Sequence, residues 1–213
     1  GAAGIENILS EKLMTKTELE ESLGWKLDKP YAIVTYQPVT LEENDARNQI
    51  EALLAACSGR QDMKFIFTKA NADASGRIIN QMIDEYVDRN ENAIAYTSLG
   101  LGRYLSALKH CTMVIGNSSS GLLEAPSFGV PTINIGDRQR GRLQADSVIN
   151  CEPSAEGIST AVSKALTEDF VIRARNAVNP YGDGNTSCKI VAVIRDCLLN
   201  KPIDLKKKFY DMR

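Results

Sequence analysis

Six short apolar runs, most of them separated by segments of helical periodicity, constrain this chain more than any other feature. The runs are Tyr31-Ala-Ile-Val-Thr-Tyr36, Lys64-Phe-Ile-Phe-Thr68, Ala93-Ile-Ala-Tyr96, Thr112-Met-Val-Ile115, Thr132-Ile-Asn-Ile135 and Ser147-Val-Ile-Asn150. Each is strand-length, and most are rich in β-branched or aromatic residues. Between them, Ile50, Leu53, Leu54 and Cys57 share one helical face, as do Ile78, Ile79, Met82, Ile83 and Tyr86. Helices are predicted over 103–109 and, in short form, over 119–128. Thr40 and Glu43 have capping-box spacing, and Ser154 can cap a helix burying Ile158, Ala161, Val162, Ala165 and Leu166. Near-continuous apolar strands joined by helices require a parallel sheet covered on both faces. The predicted fold is α/β, a Rossmann-like doubly wound parallel sheet.

The two ends stand outside this cycle. Residues 1–28 hold one modest helix, 16–23, and no convincing strand. After Gly182-Asp-Gly184, a helix capped by Asn185 carries Ile190, Val191, Val193, Ile194, Cys197 and Leu198, more than one narrow apolar stripe. A basic tail, Lys201 to Tyr210, follows. The expected organisation is therefore 1–28 as a connection, 29–180 as the sheet domain and 181–213 as a crossover helix with its tail.

Composition removes several function classes. A net charge of −2, from 25 basic and 27 acidic side chains, argues against a nucleic-acid partner. No window approaches eighteen uninterrupted apolar residues, and no basic start followed by an apolar run marks a signal peptide, so neither a membrane span nor export is expected. Five cysteines without a C-x-x-C pair favour a reducing cytoplasm over a disulfide framework or a thiolate zinc site. His110 is the only histidine, which leaves little room for histidine-rich metal sites. No Walker A or G-x-G-x-x-G sequence occurs, and no cofactor is expected.

The sharpest motif is Ile115-Gly-Asn-Ser-Ser-Ser-Gly121, with Glu124 just beyond it. It follows a predicted strand and opens a helix, at the sheet edge where doubly wound folds bind ligands. Glycines admit close backbone approach, and serine hydroxyls join free N–H groups to make a neutral cradle for a diphosphate. Glu124 falls within reach of a ribose diol. The alternative is a polar turn with Ser118 as N-cap. Gln37-Pro-Val-Thr40 and Asn71-Ala-Asp-Ala-Ser75 end two other strands, where amide side chains suit a base edge or a sugar, or equally a turn. Arg138, Arg140 and Arg142 form either a phosphate-neutralising group or a solvated loop. Asp183 is adequately explained as part of a Gly-Asp-Gly turn.

Gly116-Asn-Ser-Ser119 with Glu124, then Phe128-Gly-Val-Pro-Thr-Ile-Asn-Ile-Gly-Asp-Arg-Gln-Arg-Gly-Arg142, then Pro180-Tyr-Gly-Asp-Gly-Asn185, resembles the UDP-N-acetylglucosamine 2-epimerase family. The Arg-Gln-x-Gly-Arg run and the opening Gly-Ala-Ala-Gly-Ile-Glu-Asn look most like its hydrolysing, sialic-acid-pathway branch. The resemblance covers essentially the whole chain. It implies one half, the C-terminal domain, of a GT-B pair of Rossmann-like domains with the active site between them. UDP and UDP-N-acetylglucosamine would be the ligands, and the full-length protein would be a homo-oligomer.

The resemblance also implies individual roles. Ser118 and Ser119 would hold the diphosphate, Glu124 the ribose hydroxyls and Asn71 the nucleotide, and Asn117 of the same motif would be among the residues that bind UDP or its sugar. The backbone near Leu99, with Tyr104 behind it, would flank uracil, and Arg138 would sit by the diphosphate or the amino sugar. Gln37 stands where the family usually has a catalytic histidine, and glutamine can donate a hydrogen bond but cannot titrate. The implied reaction eliminates UDP and adds water to give N-acetylmannosamine, with the acid/base carboxylates mainly on an N-terminal domain, so that the chain alone would be inactive. Three alternatives stay open: the donor-binding half of a GT-B glycosyltransferase, a non-catalytic nucleotide-sugar-binding module, and the non-hydrolysing branch of the epimerase family.

Overall fold

All six apolar runs are strands of one parallel sheet. The computed structural model describes residues 1–38, 46–71 and 74–200. In chain order the elements are α1 (Gly4–Ser10), α2 (Lys16–Leu23), β1 (Tyr31–Thr35), α3 (Ala46–Ser58), β2 (Lys64–Thr68), α4 (Ala74–Val87), β3 (Ala93–Tyr96) and α5 (Leu101–His110). There follow β4 (Met113–Gly116), α6 (Ser120–Leu123), a 3-10 turn (Ala125–Phe128), β5 (Thr132–Ile135), β6 (Val148–Cys151), α7 (Ala155–Ala165), α8 (Glu168–Arg175) and α9 (Thr186–Asn200). The strand order is β3-β2-β1-β4-β5-β6, and every pairing is parallel. Strand order reverses between β1 and β4, which opens a crevice at their carboxyl ends.

The sheet is sealed on both faces. On one, Val34, Phe65, Phe67 and Ile115 pack with Ile50 and Leu53 of α3, Ile79 and Ile83 of α4, Ile158 and Val162 of α7 and Phe170 of α8. On the other, Tyr31, Ile33, Ile66 and Val114 meet Ala107 and Leu108 of α5. The segment before Lys29 contributes no strand, yet α2 lays Leu19 and Leu23 into this second core, and Leu27 follows them. A capping box starts α2: Thr15 Oγ1 accepts from the Glu18 N–H, and Glu18 Oε2 accepts from the Thr15 N–H at 2.8 Å. Ser154 Oγ accepts from the Gly157 N–H at 3.1 Å and caps α7, as the sequence predicts.

Several expectations need adjustment. The predicted helix over 119–128 is two pieces, because Pro126 cannot donate to the preceding turn and the chain tightens there. The N-terminal segment holds two helices rather than one. α1 buries only Ile5, too little to leave a periodic signal, and α8 buries only Phe170 and Ala174. Two strands shift by one residue, to Met113–Gly116 and Val148–Cys151. The Thr40–Glu43 capping box and the basic tail lie outside the described residues. Among the described residues no helix is long and apolar enough to cross a membrane.

α1 and α9 are attached to each other at the chain's two ends. The Ala2 N–H donates to the Tyr181 carbonyl at 2.8 Å, and both the Ser187 N–H and its hydroxyl donate to the Glu6 carboxylate. Beyond this anchor α9 is largely solvent-facing, with Val191, Val193, Leu198 and Leu199 all exposed.

Candidate functional site

The crevice begins at a residue that only glycine can occupy. Gly116 ends β4 with φ +139°, and a Cβ there would lie 1.8 Å from the Thr35 carbonyl oxygen of β1. Strands β1 and β4 are in register at that point. The next residue, Asn117, is fully buried. Its Oδ1 accepts from the Gln37 N–H at 2.7 Å, and its Nδ2 donates to the Gln37 carbonyl at 2.8 Å. The Asn117 carbonyl accepts from Arg138 Nη1 at 3.1 Å and from Gln139 Nε2 at 2.7 Å. One residue thus fastens together the loops that follow β1, β4 and β5. Gln37 Oε1 accepts from the Asn71 N–H at 3.2 Å and draws in the loop after β2.

Beside this clasp lies a cavity of about 400 Å³, lined by Thr35, Thr68, Thr97, Leu99, Tyr104, Ser118 and Ser120, among others. The Thr35 and Thr68 hydroxyls hydrogen-bond to each other across the sheet. The lining is uncharged and rich in hydroxyls, with Leu99 and the Tyr104 ring as its apolar wall. Ser118 Oγ accepts from the Ser120 N–H at 3.3 Å, so the turn-capping reading of Ser118 describes part of its work. Because α6 is a single turn, little helix dipole is available. Anion binding here would rest on the hydroxyls and the amides of Ser118 and Ser119.

Glu124 sits one turn beyond Ser120. Its Oε2 is buried with no hydrogen-bond partner among the described residues. Burial pushes its carboxyl group above the usual range, and the Ser120 hydroxyl offsets this only in part. An ionised carboxylate short of partners is a ready acceptor for a diol. The Tyr104 hydroxyl pairs with Ser120 Oγ at 2.5 Å, and burial raises the Tyr104 phenol well above its ordinary value.

The structure brings most of the sequence-predicted residues into one neighbourhood. Leu99, Tyr104 and Ser118 line the cavity, Ser119 lies between Ser118 and Ser120, and Glu124 follows. Gln37, Asn71, Asn117 and Arg138 form the clasp, with Asn71 and Arg138 exposed. The Asn117 side-chain amide makes two hydrogen bonds to the Gln37 backbone. Asp183 is exposed, and its carboxylate is held below the usual range, first by the Asn185 hydrogen bond, as a turn residue would be. His110 is engaged with the Met14 carbonyl at 3.0 Å. Sequence reasoning missed Thr35, Thr68, Thr97, Ser120 and Gln139. The threonines end or follow strands and read simply as strand formers. Among the described residues no group of three metal-ligating side chains occurs.

An open parallel sheet with a hydroxyl-lined crevice at its switch point defines a doubly wound ligand-binding domain of Rossmann type. Its relatives narrow the class. The family profile described as UDP-N-acetylglucosamine 2-epimerase matches residues 1–195, and the chain belongs to that family. It is 38% identical, over 96% of its length, to a GDP/UDP-N,N'-diacetylbacillosamine 2-epimerase (hydrolyzing) of Campylobacter jejuni, of which 53% is covered. It is 37% identical, over its whole length, to a polysialic acid biosynthesis protein of Escherichia coli, of which 54% is covered. The chain therefore spans about half the length of the curated relatives it matches. Among solved structures, the S. aureus MnaA–UDP complex superposes with a TM-score of 0.71 at 17% identity, covering 97% of this chain and 56% of that one. The UDP-GlcNAc 2-epimerase of Methanocaldococcus jannaschii, with UDP-GlcNAc and UDP bound, gives 0.69 at 18% identity, covering 92% and 53%. At these identities the structural likeness concerns the fold.

Proposed function

We propose that this chain is the UDP-binding part of a hydrolysing UDP-N-acetylglucosamine 2-epimerase, inactive until joined by a second domain. The observation that carries the reading is the uncharged, hydroxyl-lined cavity at the carboxyl ends of β1, β2 and β3, beside the Gly116–Gly121 turn. In this reading Leu99 and Tyr104 flank the uracil, Glu124 takes the ribose hydroxyls, and Ser118 and Ser119 hold the diphosphate. Arg138, whose Nη1 is on the Asn117 carbonyl, turns its other N–H groups toward the phosphates or the amino sugar.

The reaction removes the C2 proton and breaks the bond from C1 to the UDP oxygen, leaving a C1–C2 double bond. Water then supplies hydroxyl to C1, and a proton returns to C2 from the opposite face, so that N-acetylmannosamine and UDP are released. A base and an acid are each needed within about 3 Å of their targets. Among the described residues beside the cavity, Glu124 is the buried carboxylate, and it is committed to ribose. The catalytic acid and base are assigned to the second domain. Residues 29–180 form the nucleotide-binding body, residues 1–28 are the connection from that second domain, and the second domain would cover the exposed side chains of α9.

The 38% identity to a diacetylbacillosamine enzyme supports a second reading of the sugar, a 2,4-diacetamido-6-deoxyhexose in place of N-acetylglucosamine. The solved sucrose-phosphate synthase of Thermosynechococcus elongatus shares the fold at a TM-score of 0.59 and 14% identity, too distant to favour a glycosyltransferase. One experiment tests the proposal. The purified 213-residue chain is expected to bind UDP by calorimetry and to release no free amino sugar from either UDP-sugar. Addition of the N-terminal domain is expected to start the release. Absence of UDP binding would overturn the nucleotide assignment, and turnover by the chain alone would overturn the two-domain requirement.

A further inference from the structure

We infer that Tyr104 and Ser120 form a hydroxyl relay that aims the Glu124 carboxylate at the ribose, so that Ser120 is a positioning residue of the nucleotide site. The inference rests on the proposed reading of Glu124 as the ribose acceptor and adds to it a residue that reading does not use. Three observations meet here. The Tyr104 and Ser120 oxygens are 2.5 Å apart. Ser120 and Glu124 are one helical turn apart, with the Glu124 N–H donating to the Ser120 carbonyl at 2.9 Å, so the serine hydroxyl and the carboxylate lie on the same side of the turn. Glu124 Oε2 is buried and unpartnered among the described residues.

Proton counting fixes the direction of the relay. A serine hydroxyl has one proton to give and two lone pairs with which to accept. If the Ser120 proton serves the carboxylate, the short contact with Tyr104 requires the phenol to be the donor. The Tyr104 phenol is buried and holds its proton firmly, which suits that role. Tyr104 thereby fixes the rotamer of Ser120, and Ser120 fixes the carboxylate, leaving Oε2 open for the diol. The wall that meets the base and the group that meets the sugar are joined through two hydroxyls.

The test compares UDP with 2′,3′-dideoxy-UDP by calorimetry on the full chain, with melting temperatures recorded for each variant. The wild-type chain is expected to prefer UDP by about tenfold, the yield of one charge-assisted hydrogen bond. Ser120→Ala is expected to bring that ratio close to one, and Tyr104→Phe to reduce it by about threefold. A wild-type-like ratio in both variants, or equal losses for both ligands, would overturn the relay while leaving the ribose assignment standing. No preference in the wild-type chain would instead overturn the ribose assignment and the relay with it.

Discussion

Asn117 offers the sharpest test of how the crevice is built. Its side chain, which has no solvent access, accepts from the Gln37 N–H at 2.7 Å and donates to the Gln37 carbonyl at 2.8 Å. Asn117→Ala would leave the partly buried Gln37 N–H and carbonyl without these partners. At about 1–3 kcal/mol for each unsatisfied group, the two together cost about 2–6 kcal/mol, a large share of a typical domain's stability. Asn117→Asp is more informative. An ionised carboxylate still accepts from the Gln37 N–H, but its second oxygen opposes the Gln37 carbonyl and the charge is buried. The folded protein would therefore hold the aspartate's proton more tightly than the unfolded chain, whose value is near about 3.9. Stability is then greatest below that value and falls as pH rises through the higher folded value. At neutral pH, Asn117→Asp should be less stable than Asn117→Ala. Near about pH 4 the neutral carboxyl donates to the Gln37 carbonyl, and the order should reverse. Urea midpoints at the two pH values, with unchanged slopes, measure this. Equal stability of the two variants at both pH values would refute the clasp.

Two further outcomes follow from the same region. Gly116→Ala should cost about 4 kcal/mol or more, because its Cβ meets the Thr35 carbonyl at 1.8 Å, whereas Gly136→Ala, at φ +68° with nothing within 4 Å, should cost only about 1 kcal/mol. Denaturation of both variants checks the contrast, and similar losses would show that backbone angle rather than contact decides. Burial raises Glu124 above its unfolded value, so its contribution is most favourable at low pH and is lost as pH rises through the folded value. Glu124→Gln should thus gain on the wild type in melting temperature between pH 4 and 8 while losing UDP affinity; a gain that is flat with pH would contradict the burial of the carboxylate.

The sheet was legible because its strands are buried on both faces. Runs such as Tyr31–Thr35 and Met113–Gly116 have no polar interruption to confuse with a helix. The place of the Gly116–Gly121 turn at the carboxyl edge of the sheet was legible because it follows one apolar run and opens a helical segment. What escaped depends on neighbours distant in the chain. Thr35, Thr68 and Thr97 face one cavity only because β1, β2 and β3 lie side by side. Asn117 and Gln139 look like surface polar residues until their partners across the crevice are known. Ser120 looks like one serine of three, and only the position of Tyr104 on α5 singles it out.

The central strand also sets an order of events in time. Ile33 pairs with Ile66, 33 positions later, on one side, and with Val114, 81 positions later, on the other. Closing the longer loop costs only about 0.8 kcal/mol more, since chain entropy grows with the logarithm of length. The delay is therefore one of synthesis and search rather than of final stability. While the ribosome is still making residues 81–113, β1 has one edge paired and one edge open, along the apolar run Tyr31–Thr35. An open apolar edge recruits other strands as readily as its own partner. The pairing that creates the crevice is thus also the one that closes the open edge of β1.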